Sequence, residues 1–278
     1  MLNVLVIGGA GFVGSNLCKE LVNAGISVQS IDDYSTGSEK NHVENVKYIN
    51  YDCRNINKIA HKIDLVDTVF HLGEFPRVEL SVNNPIEAMS RITGAISPVI
   101  EFCYKQSAKL IYSGSSTRFG DAESPYSICK EINSQIVHRL CSYLHMSYAI
   151  TYFYNVYGPN EIESGPYSTL IAKIIYAKKN NKKITVTAPG TQKRNFTHVN
   201  DVVKALMLIG QNGHGDNYGI GSDNSYSVLD VIKLADCEYE IGKAKKGNRL
   251  SANLITEKTK ALGWKENDSI VEYIKRQI

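Results

Sequence analysis

The chain has 278 residues, of which 43% are hydrophobic and 21% are charged, and its formal net charge is +3. These values are ordinary for a globular protein that buries a sizeable core in one large domain or two unequal ones. The small net charge gives no argument for a nucleic-acid partner, and no apolar run is long enough to predict a membrane span.

The six cysteines lie mostly among apolar neighbours and lack the CxxC spacing of metal and redox sites. We therefore expect reduced packing residues, no metal ion and a cytoplasmic protein. The apolar N-terminus lacks the basic residues that begin a signal peptide, so no signal peptide is expected.

The first motif is a glycine-rich turn between a predicted buried strand (residues 2–7) and a predicted helix (about 11–23). Glycines at such a turn let the backbone approach a pyrophosphate, which the free N–H groups at a helix start attract. A tight turn without a ligand is the alternative, but the strand, the helix and Asp32 together favour a dinucleotide site. The turn reads Gly8-Gly9-Ala10-Gly11-Phe12-Val13-Gly14.

Two acidic residues follow the next predicted strands, at residues 27–31 and 46–49. Asp32 ends the first of them, where a carboxylate can accept both adenosine ribose hydroxyls and repels a 2′-phosphate. No arginine follows closely in the sequence, so we expect NAD rather than NADP. Asp52 comes after the strand at residues 46–49 and is either a ligand of the adenine edge or an ordinary turn residue.

A fourth strand is predicted over residues 67–73, and it ends in Leu72 and Gly73 on the cofactor side of a parallel sheet. A helix then begins at Asn84 and Pro85 and runs to about residue 106. Pro98 lacks the N–H that would bond to the Gly94 carbonyl, so we expect a kink in this helix.

Hydroxyl side chains follow the fifth predicted strand (108–112), at the end of a sheet where ligands bind. Ser124 and Pro125 then begin a helix that carries Tyr126 and Lys130 on one face. An ammonium beside a phenol favours the phenolate, so Tyr126 is a candidate base, with Ser115 bonded to the same substrate oxygen. Such a pair is common by chance, and its position after the glycine turn makes it significant. The hydroxyl segment reads Ser113-Gly114-Ser115-Ser116-Thr117.

Taken together, these motifs resemble those of the extended short-chain dehydrogenases/reductases, in the branch of nucleotide-sugar epimerases and dehydratases that includes UDP-glucose 4-epimerase. The resemblance spans nearly the whole chain. It also includes His71-Leu72, Asn155-Val156-Tyr157-Gly158-Pro159 and Arg194-Asn195-Phe196-Thr197-His198-Val199-Asn200-Asp201.

The resemblance implies roles for these residues, with NAD as the cofactor and a nucleotide-sugar as the substrate. Ser115, Tyr126 and Lys130 would be the catalytic trio, and Lys130 would also hold the nicotinamide ribose. Substrate contacts would come from Ser115 and Thr117 at the strand end, and from Asn155 and Arg194 at the diphosphate or sugar. The residues expected on the cofactor are Gly8, Gly11, Phe12, Val13, Gly14, Asp32, Asp52, Leu72, Gly73 and Lys130.

The implied fold is an α/β protein with a Rossmann-type, doubly wound parallel sheet and a smaller C-terminal substrate lobe. We expect residues 1–160 to form the NAD-binding domain, with segments at about 184–210 returning to it, and residues 161–278 to form the lobe. Further helices are expected at about 166–180 and after Asn200, Ser227 and Asp268 or Ser269. Relatives pair two subunits through helices like those at about 85–106 and 126–145, which implies a homodimer.

Four features depart from the family pattern. Arg91 replaces a usual asparagine, Pro98 lies in a helix of the implied dimer, and only five residues separate Gly120 from Tyr126. The family's late Arg-Pro-Gly-Asp motif appears here as Lys245-Lys246-Gly247-Asn248, with Arg249 beside it.

The expected reaction is the interconversion of C4 epimers of a nucleotide-hexose through a transient 4-keto sugar. Dehydratases of the family carry Thr-Asp-Glu where this chain has Ser115-Ser116-Thr117, so a 4,6-dehydratase would lack its acid and base. A keto-sugar reductase needs only the same trio and is harder to exclude. A dinucleotide-sensing regulator is disfavoured by the presence of Tyr126 and Lys130.

Overall fold

Strands and helices alternate along most of the chain in a computed structural model that describes residues 1–120, 123–244 and 250–278. The strands are β1 (Asn3–Ile7), β2 (Ser27–Asp32), β3 (Val46–Asn50), β4 (Thr68–His71), β5 (Lys109–Ser115), β6 (Tyr148–Phe153), β7 (Val156–Tyr157), β8 (Ile184–Thr187), β9 (Lys193–Asn195), β10 (Thr197–His198), β11 (Gly215–Ile220), β12 (Ser225–Ser227) and β13 (Tyr239–Gly242). The helices are α1 (Phe12–Asn23), α2 (Val78–Asn83), α3 (Pro85–Thr93), α4 (Ile96–Gln106), α5 (Pro125–Tyr143), α6 (Leu170–Lys179), α7 (Val199–Asn212), α8 (Val228–Leu234), α9 (Glu257–Ala261) and α10 (Ile270–Gln277). Short 3-10 segments cover Glu39–Asn41, Cys53–Lys62 and Ser116–Phe119.

Seven strands form one parallel sheet in the order β11-β6-β5-β4-β1-β2-β3. The order reverses between β1 and β4, so the connections that leave these two strands run in opposite directions. Such a reversal opens a crevice at the carboxyl ends of the strands, where ligands of doubly wound sheets bind. The predicted α/β class is confirmed.

The central strand β1 shows how the sheet is covered on both faces. Val4 and Val6 belong to an apolar cluster with α1 and α7, whereas Leu5 and Ile7 belong to a second cluster with α4 and α5. All four side chains are almost fully buried, and burying each contributes about 1.5–3 kcal/mol. Successive side chains of a strand point to opposite faces of the sheet, and both faces are buried at β1. An uninterrupted apolar run is therefore required here.

A smaller apolar cluster joins α6, α8 and α10 to a two-stranded parallel pair of β8 and β13. Within the segment of about 184–210 that we expect to return to the NAD-binding domain, the strand β8 belongs to this cluster, where Ile184 and Val186 are buried. The later part of this segment contains α7, which packs on the main sheet and leads into β11. The assignment of the segment to the NAD-binding domain stays a prediction. The proposed division at residue 160 stays a prediction.

The helix expected over residues 84–106 is two helices, and the kink predicted at Pro98 is wrong. The helix α3 ends at Thr93, and α4 begins at Ile96, after Gly94 and Ala95. Pro98 thus falls in the first turn of α4, where a missing N–H leaves no helical bond unmade. The strain of an internal proline is avoided by ending one helix and starting another.

Local capping differs from the prediction at one site. His198 rather than Asn200 precedes α7, and its ring Nδ1 accepts the Asn200 backbone N–H at 3.2 Å. Ser227 caps α8 as expected, and Ser269 precedes α10. The six cysteines are all free. In the described ranges, no helix combines the length and the apolarity that crossing a membrane requires.

Candidate active site

The glycine turn between β1 and α1 has the shape that its sequence predicts. Gly8 has a φ of +87°, and a Cβ on it would lie 2.7 Å from the backbone nitrogen of Gly73 at the end of β4. A Cβ on Gly14 would lie 2.0 Å from the Gly8 carbonyl oxygen. Only bare backbone fits at these two positions, and it leaves the start of α1 open to an anion.

Asp32 ends β2 beside this turn and is only 8% exposed. One carboxylate oxygen accepts the Ala10 N–H at 2.9 Å, and the other accepts the Tyr34 N–H at 2.9 Å. Burial raises the pKa of Asp32, and these two hydrogen bonds oppose the rise. The carboxylate is therefore fixed in direction while it still lines the cavity that contains the glycine turn.

Two arginines reach the same cavity from distant parts of the chain. Arg91 of α3 forms an ion pair with Asp33 at 3.1 Å, and Arg54 forms one with Asp52 at 2.6 Å. The sequence analysis considered only arginines that closely follow Asp32, and both of these lie further along the chain. Because each guanidinium already faces a carboxylate, neither is a ready site for a 2′-phosphate. Asp52 lines the cavity, as expected of a ligand, but the Arg54 side chain lowers its pKa and holds it.

Hydrogen bonds at the start of α5 fix the position of Tyr126. Ser124 and Ser127 form a reciprocal capping box, in which each hydroxyl accepts the backbone N–H of the other residue. The Tyr126 N–H donates to the Ser81 hydroxyl of α2 at 3.1 Å. These bonds satisfy N–H groups that a helix start leaves free and fix the first turn against α2.

Hydroxyl groups do collect at the end of β5. The Thr117 hydroxyl donates to the Ser115 hydroxyl oxygen at 2.9 Å, and both side chains line the cavity. Ser115 is 9% exposed, so its oxygen is held in a defined direction at the cavity wall. The arrangement suits a group that orients a substrate oxygen.

Lys130, one turn after Tyr126, has an unforeseen partner in Glu74. Its ammonium lies 2.5 Å from a Glu74 carboxylate oxygen and donates to the Ser113 carbonyl at 2.7 Å. Both side chains are almost completely buried. Burial lowers the pKa of Lys130, but the Glu74 charge outweighs this effect and raises it. Burial likewise raises the pKa of Glu74, and the Lys130 charge reverses this to a net lowering.

Three further side chains enclose the Glu74 carboxylate. It accepts hydrogen bonds from the Tyr112 hydroxyl at 3.1 Å and the Asn133 amide at 3.2 Å, and His71 Nε2 lies 3.4 Å away. Sequence reasoning named Leu72 and Gly73 at this strand end but not the next residue. An acidic side chain directly after a buried strand was the signal that could have found it.

One cavity of about 540 Å³ brings together the glycine turn and the reactive side chains. A second, of about 350 Å³, is lined by β8 and Arg194, and Asn155 lines both. Arg194 also donates to the carbonyls of Lys193 and Leu250. The residues expected at Lys245–Arg249 lie outside the described part of the chain. Those expected in the first cavity line it: Gly8, Gly11, Phe12, Val13, Gly14, Asp32, Asp52, Leu72, Gly73, Ser115, Thr117, Tyr126, Lys130 and Asn155.

The first cavity fits a dinucleotide on structural grounds. The turn at Gly8 and Gly14 is a cradle that any Cβ would fill, and the buried Asp32 carboxylate stands beside it. A pyrophosphate at the start of α1 and a ribose at Asp32 match the chemistry of these groups. The same cavity is also lined by Tyr126 and Ser115, the residues expected to carry the acid–base chemistry.

The chain belongs to the NAD dependent epimerase/dehydratase family, whose sequence profile matches residues 4–221. The predicted family is therefore confirmed, and with it NAD as the cofactor of an enzyme.

Individual relatives agree with this assignment. The chain is 29% identical to a putative UDP-glucose 4-epimerase of Methanocaldococcus jannaschii, over 99% of this chain and 97% of the relative. It is 27% identical to a UDP-N-acetyl-alpha-D-glucosaminuronate decarboxylase of Bacillus cytotoxicus, over 82% and 78%. Its fold matches the crystal structure of the Thermotoga maritima UDP-glucose 4-epimerase with UDP-glucose, at a TM-score of 0.92 and 24% identity, over 99% of this chain and 96% of that one.

We expect the protein to bind NAD(H) well over tenfold more tightly than NADP(H), a difference of at least about 1.4 kcal/mol. The buried Asp32 carboxylate would repel a 2′-phosphate, and Arg54 and Arg91 are already paired. Calorimetric titration measures both affinities. The Asp32→Asn substitution should reduce the difference between the affinities for NAD(H) and NADP(H), because it removes the charge that repels the 2′-phosphate. Equal affinities in the unaltered protein would remove the role given to Asp32.

Proposed function

We propose that the protein is an NAD-dependent epimerase that interconverts the C4 epimers of a nucleoside diphosphate-hexose. The observation that carries this proposal is the shared cavity, which Ser115, Tyr126 and Lys130 line together with the glycine turn. The second cavity continues from it past Asn155 to Arg194, which suits an extended ligand with a diphosphate. Relatives are named for both neutral and acidic nucleotide-sugars, so they leave the sugar open.

In this mechanism the side chains of the first cavity transfer the proton of the C4 hydroxyl and orient its oxygen. Tyr126 accepts the proton of the C4 hydroxyl and later returns it, while Ser115 hydrogen-bonds the same oxygen. NAD, when bound, would supply the hydride-acceptor chemistry at C4. Lys130 stabilises the negative charge on the Tyr126 oxygen and holds the nicotinamide ribose. The sugar must present both faces to the cofactor between the two transfers.

Carboxyl groups near the reacting centre bear on the alternative of a dehydratase. The end of β5 offers only the hydroxyls of Ser115, Ser116 and Thr117. Glu74 does lie in the cavity, but Lys130 lowers its pKa and keeps it ionised, so it is a poor acid for a leaving hydroxyl. This arrangement supports an epimerase over a dehydratase.

The test is to incubate the purified protein with NAD and a panel of nucleotide-sugars, and to identify the products by NMR. We expect a C4 epimer to form without added NADH and without a net change in the absorbance of reduced nicotinamide. Stoichiometric consumption of NADH with a keto-sugar would identify a reductase. A stable 4-keto-6-deoxy product would identify a dehydratase.

We also propose a homodimer formed through α3 and α5. These helices pack against each other and expose apolar side chains, among them Ile86, Met89, Ile128 and Ile132, each at least 45% exposed. An apolar two-helix surface of this kind suits a two-fold contact with a second copy.

The double substitution Ile128→Glu/Ile132→Glu should convert the dimer to a monomer, because it would place four carboxylates in a two-fold contact. Light scattering at micromolar concentration measures the mass. Leu65→Glu is the matched control, since Leu65 is 74% exposed outside these helices and should leave the dimer intact. A monomeric unaltered protein would contradict the proposal.

Free cysteines support a cytoplasmic location. All six are unpaired in the structure, and most are buried. Unpaired cysteines are typical of proteins in reducing compartments. Cell fractionation measures the location directly.

A further inference from the structure

Arg77 stands where the two cavities meet. It lines both of them, as do Asn155, Thr169 and Lys173, whereas Tyr126 lines only the first cavity and Arg194 only the second. If the proposed function holds, the sugar lies in the first cavity and the diphosphate extends toward the second. Arg77 therefore borders the sugar.

The contacts of Arg77 leave most of its hydrogen-bonding capacity unused. Its Nε donates to the backbone carbonyl of Tyr167 at 2.8 Å, and Nη2 donates to the same oxygen. A guanidinium has five N–H donors, so three remain for a ligand. Within residues 1–120, 123–244 and 250–278, no carboxylate forms an ion pair with it at 4 Å or less.

The charge of Arg77 is also incompletely balanced. Its side chain is partly buried, and burial lowers its pKa, which the neighbouring Tyr126 and Glu161 oppose. Burial raises the pKa of Glu161 to about 7, so this carboxyl carries only part of a charge near neutral pH. Glu79 and Lys173, which also line both cavities, contribute one charge of each sign. A sheltered cation of this kind is stabilised when a ligand brings an anion.

We propose that Arg77 binds a carboxylate on the sugar, and that the substrate class is a nucleoside diphosphate-hexuronate. This inference rests on the function proposed above. A planar guanidinium matches a carboxylate through two parallel hydrogen bonds, which a neutral hydroxymethyl group does not offer. The diphosphate has its own cation in Arg194, on the far side of the junction.

The test compares UDP-glucuronate with UDP-glucose. We expect the unaltered enzyme to have a kcat/KM at least about tenfold higher for UDP-glucuronate, the scale of one hydrogen bond to a charged group. Arg77→Gln should lower kcat/KM for UDP-glucuronate at least about tenfold more than for UDP-glucose. Arg77→Lys should lose part of this preference, because it keeps the charge but not the planar fork.

The control is Arg91→Gln, which removes another cavity arginine that is already paired with Asp33 and should leave the ratio between the two sugars unchanged. Equal losses for both sugars in Arg77→Gln would place Arg77 against the diphosphate and overturn the inference. No loss for either sugar would overturn it as well.

Binding without turnover separates this inference from the proposed function. Calorimetry with the Tyr126→Phe variant and NAD should show tighter binding of UDP-glucuronate than of UDP-glucose. Equal binding overturns the inference even if Arg77→Gln does not fold. Preferred binding of UDP-glucuronate followed by a product that lacks the carboxyl group would support Arg77 and reject the epimerase. Epimerisation of UDP-glucose with no preference for UDP-glucuronate would support the proposed epimerase and reject the role of Arg77.

Discussion

Replacing Tyr126 with phenylalanine should lower turnover by about 10²-fold or more while NAD still binds. The change removes only the hydroxyl that would accept the substrate proton, and the capping bonds at Ser124 and Ser127 that position the helix are unaffected. Turnover is measured by NMR of the product and NAD binding by calorimetry.

The matched control is Tyr143→Phe, since Tyr143 lies on the same helix, is 81% exposed and lies outside both cavities. It should retain full turnover. If Tyr126→Phe also stays within a few-fold of the unaltered enzyme, another group is the base.

Replacing Glu74 with alanine should lower the free energy of unfolding by about 3–5 kcal/mol, the usual cost of removing one partner of a buried ion pair. The Lys130 ammonium would remain buried without its counter-charge, and the Tyr112 hydroxyl would lose its acceptor. Denaturant unfolding measures the change. Asp64→Ala is the control, because its ion pair with Lys47 is exposed and should contribute less than about 1 kcal/mol.

The stabilising contribution of this pair should persist across the neutral range of pH. The pKa of Glu74 is lowered in the folded protein, so its contribution is present above its ordinary pKa and is lost as the pH falls through the lowered value. The pKa of Lys130 is raised, so its contribution is lost only as the pH rises through that higher value. Loss of the stability difference between the variant and the unaltered protein at neutral pH would contradict the assignment.

Features that depend on neighbours along the chain could be predicted from the sequence. The glycine turn needs only a strand, three glycines and a helix, and the Tyr126–Lys130 spacing needs only one helical turn. Their meeting in one cavity followed from the rule that parallel strands bring their carboxyl ends to one edge. The family resemblance supplied Asn155 and Arg194, which local reasoning would have passed over.

Pairings across large sequence separations could not be predicted. Glu74 and Lys130 come from different strand and helix units, as do Arg91 and Asp33, and no period in the sequence links them. The break between α3 and α4 shows a second limit. The proline was read correctly as incompatible with a helix interior, but whether the chain bends or starts a new helix is decided by packing.

The late return of α7 and β11 to the main sheet has a consequence for how the chain is made. Until residue 220 has been synthesised, the outer edge of β6 has no partner, and Leu17 and Leu21 of α1 lack the cover that α7 provides. A nascent chain that has emerged only as far as residue 190 thus carries an open strand edge and an uncovered apolar face. Such surfaces can pair with other chains, so the polypeptide is exposed to aggregation during this interval of translation.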